Sequence, residues 1–186
     1  MRRGPVVLGI DASLTSMGLV AVPASWDLDW TKVEHVSIGA ALTKLATERQ
    51  RIERMQSLAI DVRVWAVRVG ATHVWIEDLP TGRAFNIPQL AELRGFIRSE
   101  LMRECRLFVG RANQSSARKL FLGKLPQKDR KAAVVAALDC MTDVFGSNDE
   151  KDAFVSATNW GLHELGAPCI ALPAPEPVKK PRKKAA

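Results

Sequence analysis

Four acidic residues stand at positions from which neighbouring elements could bring them to one point. Asp11 ends the apolar run VVLGID, and Glu77 ends the apolar run HVWIE. Asp149 and Asp152 lie three residues apart at the start of a helical pattern, so they share one helix face. Mg²⁺ and Mn²⁺ prefer oxygen ligands of this kind. Two such ions about 4 Å apart can activate water and stabilise the leaving oxygen of a phosphodiester, which makes these four residues the candidate catalytic and metal-ligating set.

Each carboxylate also has an ordinary structural explanation. An aspartate after a strand often caps a turn, and Asp149 could simply cap the last helix. A lone D-x-x-D pair is common. The hypothesis therefore depends on the joint pattern of the four residues.

The chain is basic, and part of its charge is concentrated. Its formal net charge is +7 over 186 residues, which favours a polyanionic partner such as nucleic acid or an anionic membrane surface. Residues 111–131 hold seven cationic side chains against Asp129 alone, a net +6. Phosphate contacts dominate nucleic-acid affinity, although a solvated helix face would look similar. The candidate DNA-binding side chains of this segment are Arg111, Arg118, Lys119, Lys124, Lys128, Arg130 and Lys131.

Hydrophobic periodicity predicts an α/β fold with a mixed five-stranded sheet and helices on its faces. The predicted strands are residues 6–11, 17–23, 35–40, 72–77 and 106–109. The predicted helices are residues 43–69, 89–104, 127–145 and 150–165. Residues 1–168 form one domain in this interpretation, and residues 169–186 form a flexible basic tail rich in proline and lysine.

Two smaller features complete the pattern. Trp26 and Trp30 lie in an early loop, and we expect them to pack in the core against the helix of residues 43–69 rather than to stack on bases. The three cysteines are widely separated and form neither a metal-ligand spacing nor a disulfide framework, which favours a reducing compartment. The three histidines are scattered as well, without zinc-ligand spacing. The basic start is too short in apolar residues for a signal peptide, so we expect a cytoplasmic protein.

Five segments together carry a family resemblance. GIDASLTSMG contains Asp11 with Gly18 seven residues later, and VWIED contains Glu77. LAELRG, RKLFLGKLPQKDR and DEKDAF follow in that order. The set resembles the motifs of the RuvC-type Holliday-junction resolvases over most of residues 6–165, with this chain as a divergent, possibly phage-type, member.

This resemblance implies an RNase H-like fold, a homodimer, Mg²⁺ or Mn²⁺, and resolution of four-way DNA junctions by paired symmetric nicks. Lys119 and Lys128 fall near the lysines of the family, one of which is thought to assist at the scissile phosphate. Phe85 is the candidate for the aromatic wedge of the family, although it lies further along than usual. Ala12 and Ser13 stand where the family often has Pro-Gly.

Three other functions fit parts of the pattern. A sugar-kinase or actin-like ATPase also opens with a G-I-D strand, but the chain is too short for two such domains. A different RNase H-like nuclease could act on forks, flaps or RNA–DNA hybrids. A noncatalytic nucleic-acid-binding module could keep the fold, and a metal-dependent nicking assay would separate it from both nucleases.

Overall fold

The sheet is built around a hairpin. A computed structural model describes residues 4–39, 47–79, 86–124 and 129–173 of the chain. The strands are β1 (Val6–Asp11), β2 (Ser16–Pro23), β3 (Glu34–Gly39), β4 (His73–Glu77) and β5 (Phe108–Ala112). They lie in the order β3-β2-β1-β4-β5. β1 pairs antiparallel with β2, and β2 with β3, whereas β1–β4 and β4–β5 are parallel. The predicted mixed five-stranded sheet flanked by helices is therefore confirmed.

Helices cover both faces of this sheet. The α-helices are α1 (Glu48–Arg68), α2 (Ile87–Ser99), α3 (Gln114–Leu122), α4 (Arg130–Asp139), α5 (Asn148–Ala153) and α6 (Trp160–Glu164), with π-helical turns at Glu100–Glu104 and Phe154–Asn159. One face of the sheet packs on α1 and α2, and the other packs on α3, α4, α5 and α6. None of the described helices is long and apolar enough to span a bilayer.

Alternation along β1 explains the two layers. Leu8 and Ile10 point into the core under α1 and α2, whereas Val7 belongs to the core on the opposite face. Both faces of the strand are buried, so the apolar run is continuous and only Gly9 interrupts it. A Cβ at Gly9 would lie 2.2 Å from Thr158 Oγ1, so the glycine lets the π-helical turn Phe154–Asn159 lie directly on the sheet.

The prediction of a single helix over residues 127–145 was wrong at its end. α4 stops at Asp139, and the chain turns before Ser147, which caps α5. In the turn, Thr142 Oγ1 accepts a hydrogen bond from the Val144 N–H at 3.2 Å, a local bond that competes with helix. Phe145 still reaches the core, which is why its spacing imitated a longer helical stripe.

No helix was predicted over the residues of α3, which belong to the basic segment 111–131. Asn113 accepts a hydrogen bond from the Ser116 N–H at the start of this helix, and Gly123 ends it with a φ of 69°. Both are ordinary helix boundary signals.

Trp26 lies in the core, as predicted, but against other partners. Its ring contacts Trp30 and Phe154 at centroid distances of 5.2 and 5.6 Å, on the sheet face opposite α1. The predicted packing against the helix of residues 43–69 was therefore wrong.

The start of the predicted tail lies later than residue 169. Ile170 is buried, and its backbone N–H and C=O both bond to the side chain of Asn159. The Leu172 N–H donates to the Phe121 carbonyl. These contacts fasten the chain to the domain through residue 172, and the rest of the tail, from residue 174, lies outside the described residues.

Gly18 allows the closest approach between the sheet and α5. A Cβ on this residue would lie 2.1 Å from the Asp149 carbonyl oxygen, a separation that requires the backbone of α5 to shift. We predict that Gly18→Ala lowers the free energy of unfolding by about 1–3 kcal/mol, the usual cost of overpacking.

Chemical denaturation measures this change. Gly39→Ala is the matched control, because its Cβ would meet nothing within 4 Å. Equal stability of the two variants would contradict the proposed close contact.

Candidate active site

The first two carboxylates meet because their strands are parallel neighbours. Ile10 is in register with Ile76, so Asp11 and Glu77 end adjacent strands at the same edge of the sheet. Asp11 follows Gly9 in the alternation, and Glu77 follows Trp75, so both residues lie on the sheet face covered by α3 to α6.

α5 supplies the other two carboxylates. Asp149 is partly exposed and Asp152 is buried. All four acidic side chains line one open cavity of about 510 Å³ at the sheet edge. The cavity also receives the side chains of Arg94, Gln114, Arg118 and Lys131.

A network around Glu150 fixes the start of α5. This buried carboxylate accepts hydrogen bonds from Ser37 Oγ and from the Gly146 N–H, each at 2.8 Å, and lies 2.8 Å from His35 Nδ1. Because His35 and Ser37 are on β3, the network attaches α5 to the sheet. It thereby sets the position of Asp149 and Asp152, its near neighbours on the helix.

Asp152 is neutralised by two cationic side chains. Arg118 Nη2 lies 3.2 Å from Asp152 Oδ1, and Lys131 Nζ lies 2.5 Å from Oδ2. Arg118 is itself buried, whereas the side chain of Lys131 is 53% exposed. Lys131 can therefore turn toward solvent or toward an anion, whereas Arg118 is held inside the protein beside Asp152.

Glu77 is the most perturbed acid of the site. Gln114 Nε2 donates to its Oε1, while its buried Oε2 has no hydrogen-bond partner among the described residues. Burial raises the pKa of Glu77 to about 9; the charges of Asp11 and Asp152 add to this effect and Arg118 opposes it. Burial, followed by the charge of Asp152, raises the pKa of Asp11 to about 6. The Asp11–Glu77 pair thus holds a proton, which takes the place of a neutralising cation.

Arg94 approaches the same carboxylates from α2. It is buried, and its Nε has no partner within the described part of the chain. Burial lowers its pKa, and the charges of Glu77, Asp11 and Asp78 oppose that shift. A buried guanidinium with an unused donor at an open cavity is suited to an anionic ligand.

The predicted DNA-binding residues separate into groups. Arg118 and Lys131 enter the cavity. Arg111, Lys119, Lys124 and Arg130 are exposed on the surface and do not line it. Lys119 follows Arg118 on α3, and one helical step turns it away from the carboxylates, so this lysine, one of the two with a predicted catalytic role, lies outside the cavity. Lys128 and Phe85 lie outside the described residues.

Arg94 and Gln114 were not identified from sequence as site residues. Gln114 follows β5, the third parallel strand to end at this edge, so the reasoning that found Asp11 and Glu77 applies to it as well. Arg94 lies within the LAELRG segment, but nothing in the sequence distinguishes it from a surface arginine of an amphipathic helix.

The donor set fits a hard divalent cation in chemistry, but it is not pre-arranged around one. No three described His, Cys, Asp or Glu side chains are positioned as a metal-ligand group. Asp152 instead faces Arg118 and Lys131. The unpartnered Glu77 Oε2 and the crowded carboxylates are what such a cation would satisfy.

Solved structures share this fold. Thermus thermophilus RuvC aligns with a TM-score of 0.64 and 16% identity, over 87% of this chain and 97% of that one. T. thermophilus RuvC in complex with a Holliday junction substrate aligns with a TM-score of 0.62 and 16% identity, over 90% and 99%. The yeast mitochondrial Holliday junction resolvase Ydc2 gives 0.57 and 15%, over 88% and 83%. Neither a protein-family model nor a curated protein matches the chain.

The chain therefore has the RNase H-like fold of the RuvC-type resolvases, as the sequence motifs implied. At 15–16% identity this likeness concerns the fold. The chemistry of the site has to be argued from its own residues.

The raised pKa of Glu77 predicts how stability varies with pH in EDTA. Between about pH 6 and pH 9 the folded chain keeps the Glu77 proton, whereas the unfolded chain has already released it near pH 4.5. The free energy of unfolding should therefore fall as pH rises, by at most about 1.4 kcal/mol per pH unit from this group. Glu77→Gln should remove that contribution.

Denaturation at pH 6, 7 and 8 measures the difference between wild type and Glu77→Gln. The difference should move in favour of the variant as pH increases. The exposed Glu53→Gln is the control, and its difference from wild type should not change with pH. A difference for Glu77→Gln that is equally independent of pH would contradict the raised pKa.

Proposed function

We propose that this chain is a divalent-metal-dependent endonuclease that resolves four-way DNA junctions by paired nicks. The observation that carries the proposal is the convergence of Asp11, Glu77, Asp149 and Asp152 on one open cavity. That cavity lies at the end of two parallel strands in a fold shared with structures of Holliday-junction resolvases. Phosphodiester hydrolysis needs such a concentration of hard oxygen ligands beside cationic side chains.

The four carboxylates would hold the metal ions, which supply activated water and stabilise the leaving oxygen when bound. Gln114 holds one oxygen of Glu77 in place and leaves the other available. Arg118 fixes Asp152 from the protein interior. Both supports lie on α3, which carries none of the four acids, so this one helix helps to position Glu77 and Asp152 together.

The cationic side chains have a separate role. Lys131 and Arg94 face the cavity from opposite sheet faces, one on α4 and one on α2. In the proposed reaction they attract the substrate phosphate and stabilise the negative charge that develops on it. Lys131, being half exposed, can turn from Asp152 toward the phosphate, and Arg118 then remains as the counter-charge of the buried Asp152.

Paired nicks require two active sites, and α1 offers a surface for a second copy. Ile60, Val64 and Val67 are 41%, 58% and 65% exposed, and their spacing of four and three residues places them on one helix face. The opposite face of α1 is buried in the core. In the proposed homodimer this apolar stripe packs on its own copy across a two-fold axis.

The carboxylates provide the direct test of catalysis. Asp11→Asn and Glu77→Gln should each reduce cleavage of a four-way junction in Mg²⁺ or Mn²⁺ by about 10³-fold or more, since a charged ligand is lost. Junction binding should persist or tighten, because repulsion of the phosphates decreases. Asp27→Asn, an exposed aspartate on an early loop, is the control.

Wild-type rates in both variants would show that the proposed site is wrong. The same assay with three-way junctions, forks, flaps, linear duplex and RNA–DNA hybrid tests the substrate. Faster cleavage of any of these than of the four-way junction would favour the alternative RNase H-like nuclease, and no cleavage of any substrate would favour a noncatalytic binding module.

The dimer predicts a change in mass and in the pattern of nicks. The wild-type chain should sediment at about twice 20.4 kDa, and Val64→Glu should sediment near 20.4 kDa because it buries a charge in the apolar stripe. On a cruciform plasmid the wild type should give linear product, and the variant should give only nicked circles. Leu165→Glu is a control at an exposed apolar residue outside α1.

A wild-type chain that is monomeric both free and on DNA would contradict paired nicking. It would leave a nuclease that cuts one strand.

A further inference from the structure

A second cavity lies beside the active site and has a different charge. It has a volume of about 190 Å³ and is formed between α2, the end of β4 and β5. Glu77 and Arg94 line both cavities, so they form the wall between them. The second cavity also contains Arg98 and Arg111, and Glu77 and Asp78 are the acidic residues that oppose its three guanidinium groups within the described part of the chain.

The guanidinium groups of this cavity are incompletely paired. Arg98 makes no hydrogen bond or ion pair within the described part of the chain. Arg111 has one long contact, 3.9 Å from Nε to Asp78 Oδ1, and its side chain is 73% exposed. Arg94, buried in the common wall, has the unused Nε donor. Arginine binds phosphate through several N–H donors at once, and the guanidinium groups of this cavity have donors without an acceptor.

The floor of the cavity lets a backbone come close. Ala91 and Gly95 lie one turn apart on the exposed side of α2, and Arg98 follows within the next turn. A Cβ at Gly95 would meet no atom of the described residues within 4 Å. Among these residues, no long side chain of this helix face shields the arginines from an approaching sugar–phosphate chain.

From these features we infer that Arg98 and Arg111 bind one non-scissile phosphate of the DNA strand whose scissile phosphate lies in the active site. This inference rests on the proposed function, because it takes the 510 Å³ cavity as the place of cleavage. A strand that crosses the wall of Glu77 and Arg94 has a phosphate on each side of it. The second cavity would then fix the register of the strand, and hence which bond is cut.

Salt dependence of binding distinguishes one shared phosphate from scattered surface contacts. Affinity for a four-way junction is measured over a range of KCl in EDTA, where the full-length chain cannot cleave. Arg98→Ala and Arg111→Ala should each weaken binding roughly three- to tenfold and lower the slope of log K against log salt by about 0.9, the value for one phosphate. The double variant should show the same loss as either single variant.

Arg103→Ala, a 71% exposed arginine outside the cavity, is the matched control and should leave the slope unchanged. Additive losses in the double variant, or unchanged slopes, would overturn the shared phosphate. If the wild-type chain bound no junction at all, the proposed function and this inference would fail together. If wild-type binding were normal and the slopes unchanged, this inference alone would fail.

Replacing single phosphates by neutral methylphosphonates locates the contact on the strand. One position, different from the scissile one, should weaken binding of the wild type but not of Arg98→Ala. Gly95→Glu, which adds a carboxylate over the cavity, should also weaken binding more than its neutral counterpart Gly95→Gln. The absence of any such position, or equal effects of the two Gly95 variants, would overturn the inference.

Discussion

The candidate active site depends on how closely α5 can approach the β1–β2 hairpin. Asp11 is paired with Gly18 across that hairpin, and the Asp149 carbonyl oxygen lies where a Cβ of residue 18 would be. Any side chain at this position would push α5 outward and carry Asp149 and Asp152 away from the strand ends. The glycine seven residues after the first aspartate thus has a steric function, because it sets the distance between two halves of the carboxylate set.

That short distance creates an electrostatic cost, and the surrounding residues are arranged to reduce it. Arg118 and Lys131 neutralise Asp152, while Glu77 keeps a proton through its raised pKa. Arg118 is itself buried, and desolvation of such a pair offsets much of its attraction. The site is therefore a region of low stability that the rest of the sheet has to support. The Glu150 network does part of this, because the buried Glu150 carboxylate bonds α5 to His35 and Ser37 of β3.

The sequence was sufficient for the parts of the site that follow from periodicity. Strand ends predicted that Asp11 and Glu77 lie together. The i, i+3 spacing placed Asp149 and Asp152 on one helix face. The packing of α5 on the β1–β2 hairpin, which brings the two pairs to one cavity, is a contact between segments distant in sequence. The sequence was insufficient where the direction of one side chain decides whether the residue enters the cavity. Charge density made Arg118 and Lys119 equivalent candidates, and only the seating of α3 on the core separates them. Gln114 and Glu150 could not be identified from the sequence, because their roles depend on contacts between elements distant in sequence.

The arrangement also weighs against a binding module that has merely kept the fold. A chain that only has to fold gains nothing from placing Glu77 beside Asp11 with one oxygen unpartnered, since an apolar residue in that position avoids both desolvation and repulsion. A module that only has to bind DNA gains even less, because acidic groups at the centre of its surface repel phosphates. The carboxylates lower both stability and affinity in the absence of a cation. The proposed divalent cation, a hard ion beside a phosphodiester, would be a ligand that needs all of them at once.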